Sequence, residues 1–107
     1  MKEEKGQILP LGSVVETKEG EIPLLIVSRG GLFEQDGKVG YFDYVSVPYP
    51  GGLTDSNEYA FFNREDVGTV LFVGYRNADE QNFAENYEDI IAKSGYEQHK
   101  LPKKNNS

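Results

Sequence analysis

The chain has 107 residues, too few for two ordinary domains and enough for one with a real core. It carries 11 basic and 18 acidic residues, a net charge of −7, and no cysteine. Disulfides, thiolate metal sites and cysteine nucleophiles are therefore excluded. An acidic domain repels phosphate backbones, so neither nucleic acid nor an anionic membrane is expected as a partner. The charge is uneven: residues 1–97 hold 8 basic and 18 acidic groups, and Lys100, Lys103 and Lys104 follow. A basic partner is favoured. No apolar run approaches the roughly 20 residues of a membrane helix. The N-terminus lacks the apolar core of a signal peptide, so a cytoplasmic protein is expected.

In chain order, residues 1–7 read as a disordered N-terminus, residues 8–96 as one globular domain and residues 97–107 as a disordered basic tail. Residues 12–17 are a first strand candidate, residues 18–21 a turn, and residues 22–29 a second strand that Gly30 and Gly31 break. Residues 32–34 run into Asp36-Gly37, a strong two-residue hairpin signal. Residues 39–49 form a long strand, ended by Pro48, Pro50, Gly51 and Gly52. Residues 59–62 are a short strand. Asn63 caps a helical turn with Asp66 at its third position, and residues 68–75 are the last strand. Asn77 or Asp79 opens a helix that ends near Ser94, with Gly95 placed to close it in the left-handed conformation. Phe83, Tyr87, Ile90 and Ile91 make the apolar face of that helix. The order predicts an α+β fold: about five antiparallel strands forming a curled sheet or small open barrel, SH3-like, followed by one C-terminal amphipathic helix.

Several strands are apolar on both faces. Leu24 and Ile26 point one way, and Leu25 and Val27 the other. Leu71, Val73 and Tyr75 oppose Val70 and Phe72, while Val45, Val47 and Tyr49 oppose Phe42 and Tyr44. A helix about 10–12 Å across shields roughly two strands at their 4.8 Å spacing. Curling the sheet hides part of the rest, and any remainder is an exposed apolar patch of the kind that marks interaction sites. The stretch from residue 41 to 76 concentrates the problem, holding nine of the thirteen Tyr and Phe residues.

No residue set forms a catalytic device, and no catalytic, cofactor-binding or metal-ligating residue is assigned. His99, the only histidine, lies in the polar tail, where it reads as a solvated side chain rather than the rigidly held base of a triad. Asp79, Glu80, Glu85, Glu88 and Asp89 lack the spacing of a calcium loop. They read as a solvated acidic helix face, and secondarily as a docking surface for a basic partner. Asp43, between Phe42 and Tyr44, is a candidate buried carboxylate satisfied by Arg64, Arg76 or a tyrosine hydroxyl. The glycines match no phosphate-binding loop.

Taken together, ILPLGSVV at residues 8–15, YFDYVSVPYPGGL at 41–53 and FFNREDVGTVLFVGYR at 61–76, followed by an acidic helix with Phe83, resemble the domain of unknown function 4176 family of Gram-positive bacteria. The resemblance covers roughly residues 8–92. It implies a small accessory protein encoded beside LXG-type toxins of type VII secretion loci. Its expected role is a non-enzymatic cytosolic chaperone or adaptor that binds its cognate toxin before export. An immunity protein that neutralises a toxin by direct binding is the alternative. The candidate partner-binding residues are Tyr41, Tyr44, Tyr49, Phe72, Tyr75, Glu85, Glu88 and Asp89. The matching aromatics are equally compatible with core or interface.

Overall fold

The computed structural model describes residues 6–56 and 58–101. Its elements are β1 (Val14–Thr17), β2 (Leu24–Gln35), β3 (Lys38–Pro48), β4 (Ala60–Phe62), a 3-10 turn (Arg64–Asp66), β5 (Val67–Phe72), α1 (Ala78–Ser94) and β6 (Glu97–Gln98). The antiparallel strands follow the order β4-β3-β2-β1-β5, and the two-residue β6 pairs in parallel with β3. The fold is α+β, an open sheet with one helix after its fifth strand, as the sequence predicts.

β2 and β3 form its backbone. Gln35 pairs with Lys38 across Asp36-Gly37, and both turn residues have positive φ, 56° and 80°, as a two-residue turn with both central residues left-handed requires. Gly30 and Gly31 do not break β2. The strand runs through them, with one extra residue, Val27, bulged between Ile26 and Ser28. Glycine tolerates the left-handed φ of 65° at Gly30 without ending the ladder.

The sheet must curl. β4 and β5 sit at opposite ends of the five-strand path, about 19 Å apart if it were flat. Only residues 63–66 join them, and the 3-10 turn takes up most of that length. Curling gathers Val15, Ile26, Tyr44 and Phe62 against Ala84 and Tyr87 of α1. Asn77 caps α1 by accepting the Glu80 N–H at 2.9 Å, and Gly95 closes it at φ 80°. Ala84 rather than Ile90 joins Tyr87 in the buried face, and Ile90 is exposed.

Residues 6–10 are a strap over the core. Ile8 and Pro10 are buried, and three arginines hold the strap's carbonyls. Arg64 donates to Gly6 O, Arg76 to Ile8 O and Arg29 to Leu9 O, at 3.2–3.3 Å. The Leu9 N–H donates to the Tyr44 hydroxyl at 2.9 Å.

The expected disorder from residue 97 onward is corrected for residues 97–101. Glu97 and Gln98 pair with Gly40 and Tyr41, and the His99 N–H donates to Tyr41 O at 2.8 Å. This approach needs a bare backbone at Gly40, where a Cβ would stand 2.5 Å from Glu97 O. His99 is half-buried, not solvated. Its ring lies 5.4 Å from that of Phe42, and its Nε2 is 2.7 Å from Phe33 O. The expectations for residues 1–5 and 102–107 lie outside the described residues.

Gly74, just past β5, is pinned against the start of β1. Its N–H donates to the Ser13 hydroxyl at 2.9 Å, and a Cβ there would collide with the Leu11 carbonyl. Gly74→Ala is expected to destabilise the fold by about 2 kcal/mol, because backbone rather than a flexible side chain must yield. Gly51→Ala, in open space, serves as a neutral control. Urea midpoints of the two variants against the parent check this.

Candidate functional site

Two features stand out: a buried polar hub and an uncovered apolar surface. The hub is Asp43, fully buried in β3. Its Oδ1 accepts the Tyr87 hydroxyl at 2.9 Å. Its Oδ2 accepts the Arg64 backbone N–H at 2.9 Å, the Arg64 Nε–H at 3.2 Å and the Gln98 side-chain N–H at 3.3 Å. Its own N–H donates to the Asn63 carboxamide oxygen, and the Asn63 amide donates to His99 O at 2.8 Å. Of the candidate partners, Arg64 and a tyrosine hydroxyl are correct. Arg76 instead pairs with Glu80. The Arg64 guanidinium also reaches Glu88 at 2.6 Å and lies 5.1 Å from the Tyr87 ring.

Four donors from within the chain converge on this buried carboxylate, so the hub reads as structural rather than as a site awaiting a substrate. Burial, reinforced by the negative charge of Asp43, raises the Tyr87 hydroxyl far above the usual tyrosine range. Burial pushes Tyr44 up to about 12. Among the described residues, no group of three or more His, Cys, Asp or Glu side chains is gathered to hold a metal ion.

The apolar surface lies elsewhere. α1 and the strap cover one side of the sheet. On the other, Val14, Pro23, Leu25, Tyr49, Leu71 and Phe72 line an open groove of about 440 Å³ with no charged residue among the described residues that line it. Tyr49 is placed there by its N–H bond to Pro23 O at 2.9 Å. Phe72 is 61% exposed and Tyr75, just beyond β5, is 82% exposed. Val70, Leu71 and Val73 are exposed as well, whereas Val67 at the start of β5 packs against the core, so it is the second half of β5 that lacks cover.

The candidate partner-binding residues therefore separate. Tyr49 and Phe72 converge on the groove, with Tyr75 exposed beyond the end of β5. Tyr41 is half-buried in a different recess, with Leu32, Ile90, Ile91 and Tyr96. Glu85 and Asp89 are exposed on α1, and Glu88 pairs with Arg64. Tyr44 is corrected. It is 1% exposed, in ring contact with Phe62, and its hydroxyl holds the strap, so no partner can reach it. Simple alternation put Phe42 and Tyr44 on one face. In the structure Phe42 packs with Phe33 and Phe61, and Tyr44 with the core under α1. Sequence reasoning also missed Leu25 and Pro23 as groove residues. The two-faced apolar pattern of residues 22–27 was the signal that pointed to them.

A family model described as a domain of unknown function, DUF4176, matches residues 8–83, well over half of the chain. The chain belongs to this family. The matched region contains residues 8–10 of the strap, all five antiparallel strands, Asp43 and Arg64, and it ends within the first turns of α1. The DUF4176 match thus holds both features described above, while Tyr87, Gln98 and His99, which complete the hub, lie beyond it. No curated protein and no solved structure matches the chain.

Asp43→Ala should lower stability by about 3 kcal/mol, because it leaves the Arg64 guanidinium, 8% exposed, without its buried counter-charge. The shift in urea midpoint at pH 7 measures this. A second expectation concerns alkaline pH. The folded-state values of Tyr44 and Tyr87 are raised above the ordinary value of 10.0. Their contribution to stability is therefore complete below about pH 10 and is lost as pH rises through the folded-state values. Tyrosinate absorbance should show these two of the seven tyrosines ionising only together with loss of the far-ultraviolet circular dichroism signal. Normal ionisation with the fold intact contradicts the buried placement.

Proposed function

We propose that this chain is a non-enzymatic binding module: a cytoplasmic chaperone or adaptor for an LXG-type toxin, engaged before type VII secretion. The observation that carries the binding reading is the apolar surface of β5 and the groove beside it. Val70, Leu71, Phe72, Val73 and Tyr75 are all exposed in one run, a density of apolar side chains that isolated surface residues do not reach. The buried hub supports the same reading, since the most elaborate polar constellation in the molecule is spent on holding β3, α1 and β6 together.

The nature of the partner rests on the family. The toxin is what the DUF4176 resemblance implies, and the net charge of −7 suits a partner with a basic segment through its effect on association rate. An adaptor engages a region of the toxin away from the toxic activity, so it leaves that activity intact. An immunity protein would abolish it.

Co-expression with an LXG-type toxin encoded beside the gene should yield a complex that survives size exclusion, with the toxin's activity undiminished by binding. Elution of the chain alone overturns the binding reading. Loss of toxicity on binding replaces the adaptor role with immunity.

A further inference from the structure

The sheet ends differently on its two sides. On one side β3 is occupied along both edges: β2 takes one, while β4 takes Tyr44, Val45 and Ser46 on the other and β6 takes Gly40 and Tyr41. What remains open there is a three-residue strand and a two-residue strand, too short to template another chain. On the other side β5 pairs only with β1 among the described residues. It is six residues long, and neither it nor the three residues after it carry a charge or a proline. Short length thus blunts the edge at one end of the sheet only, and β5 at the other end has neither short length nor lysine nor proline to blunt it.

β5 does carry two bulges. Its register against β1 skips Leu71 between Val14 and Val15, and Gly68 between Glu16 and Thr17. The first half of the strand is also flanked by the strap, since Gly6, Gln7 and Leu9 share a cleft with Val67 and Gly68 whose lining reaches no further along β5 than Val70. The open run is therefore the second half, from Val70 to Val73. The bulge at Leu71 accounts for its sharing the groove with its neighbour Phe72.

Resting on the binding reading above, we infer that a short extended strand of the partner polypeptide, about four or five residues long, adds to the free edge of β5 at residues 70–73 and packs apolar side chains against Leu71 and Phe72, at the β5 rim of the groove. The occupant is a strand because an open edge presents main-chain donors and acceptors that only another extended backbone satisfies in series. It belongs to another protein because a second copy carries the same net charge of −7 and is repelled as a whole, whereas a partner with a basic segment is attracted.

Three measurements on the full chain test this. The probe is the LXG-type toxin of the co-expression experiment. Leu71→Lys and Phe72→Lys place charge on exposed positions, and each should weaken capture at least tenfold, while Glu85→Lys and Asp89→Lys on α1 should change it little. Amide hydrogen exchange should show the amides of residues 70–73 that face away from β1 exchanging fast in the free protein and protected in the complex. A complex that forms without new protection there, or that Phe72→Lys leaves unchanged while Glu85→Lys destroys, overturns strand addition but leaves the binding function standing. No complex with the parent protein overturns the binding function itself. Protection of those outward-facing amides in the free chain, or a dimer in sedimentation that Leu71→Lys dissolves, shows that the edge is already taken by the chain or its copy, and overturns the inference.

Discussion

A single carboxylate in the middle of the longest paired region holds the distant parts of this molecule to one another. Asp43 lies in β3, yet its two oxygens receive donors from the 3-10 turn, from α1 and from the segment after α1. Taking a charge out of water costs several kcal/mol, and one arginine contact at 3.2 Å does not offset that unaided. The Arg64 backbone amide, the Tyr87 hydroxyl and the Gln98 amide supply the remainder. The gain is placement: with Asp43 as the reference point, Tyr87 sets the height of α1 over the sheet, and Arg64 sets the direction in which the chain leaves β4. Arg64 then passes the constraint on by donating to Gly6 O, so the strap is linked to the same charge.

This concentration of polar contacts on one side leaves the opposite side with little. The arginines at 29, 64 and 76 all serve the side that bears α1 and the strap. Among the described residues, none that lines the groove beyond Leu25 is charged. A protein whose free energy of folding is a small difference between large terms tolerates such an arrangement when the core is anchored independently of the bare face. Here Ile8, Val15, Ile26 and Tyr87 are almost fully buried without help from β5's exposed side chains.

Much of the fold was readable because it is encoded locally. Asp36-Gly37 specifies its turn through the conformations those two residues accept, and Asn77 and Gly95 mark the ends of α1 through hydrogen bonds and a left-handed φ that act over one turn. Leu24 and Ile26 against Leu25 and Val27 sorted correctly, the first pair into or against the core and the second toward the groove or solvent. What stayed hidden depends on contacts distant in sequence. Nothing near Glu97 announces a strand, because its partner is Gly40 and the signal is the missing Cβ there. Ile8 reads as an ordinary apolar residue until arginines from three separate regions fix the strap that buries it. Alternation set Tyr44 opposite Tyr49 correctly, but a strand apolar on both faces does not say which face is covered, and the groups that bury Tyr44 (Phe62 and the strap at Leu9) are distant in sequence.

The tight turn at residues 36 and 37 has a kinetic meaning. Bringing Gln35 to Lys38 closes the smallest loop in the sheet, and the ladder that follows lengthens by adding neighbours one pair at a time from Glu34–Val39 to Leu24–Pro48. By contrast, joining β1 to β5, or the tail to Tyr41, means closing loops of some fifty residues, at a far larger entropic penalty. The long ribbon is the natural seed of the native state. The strap, the helix and the last five described residues then assemble upon a template that is already in place.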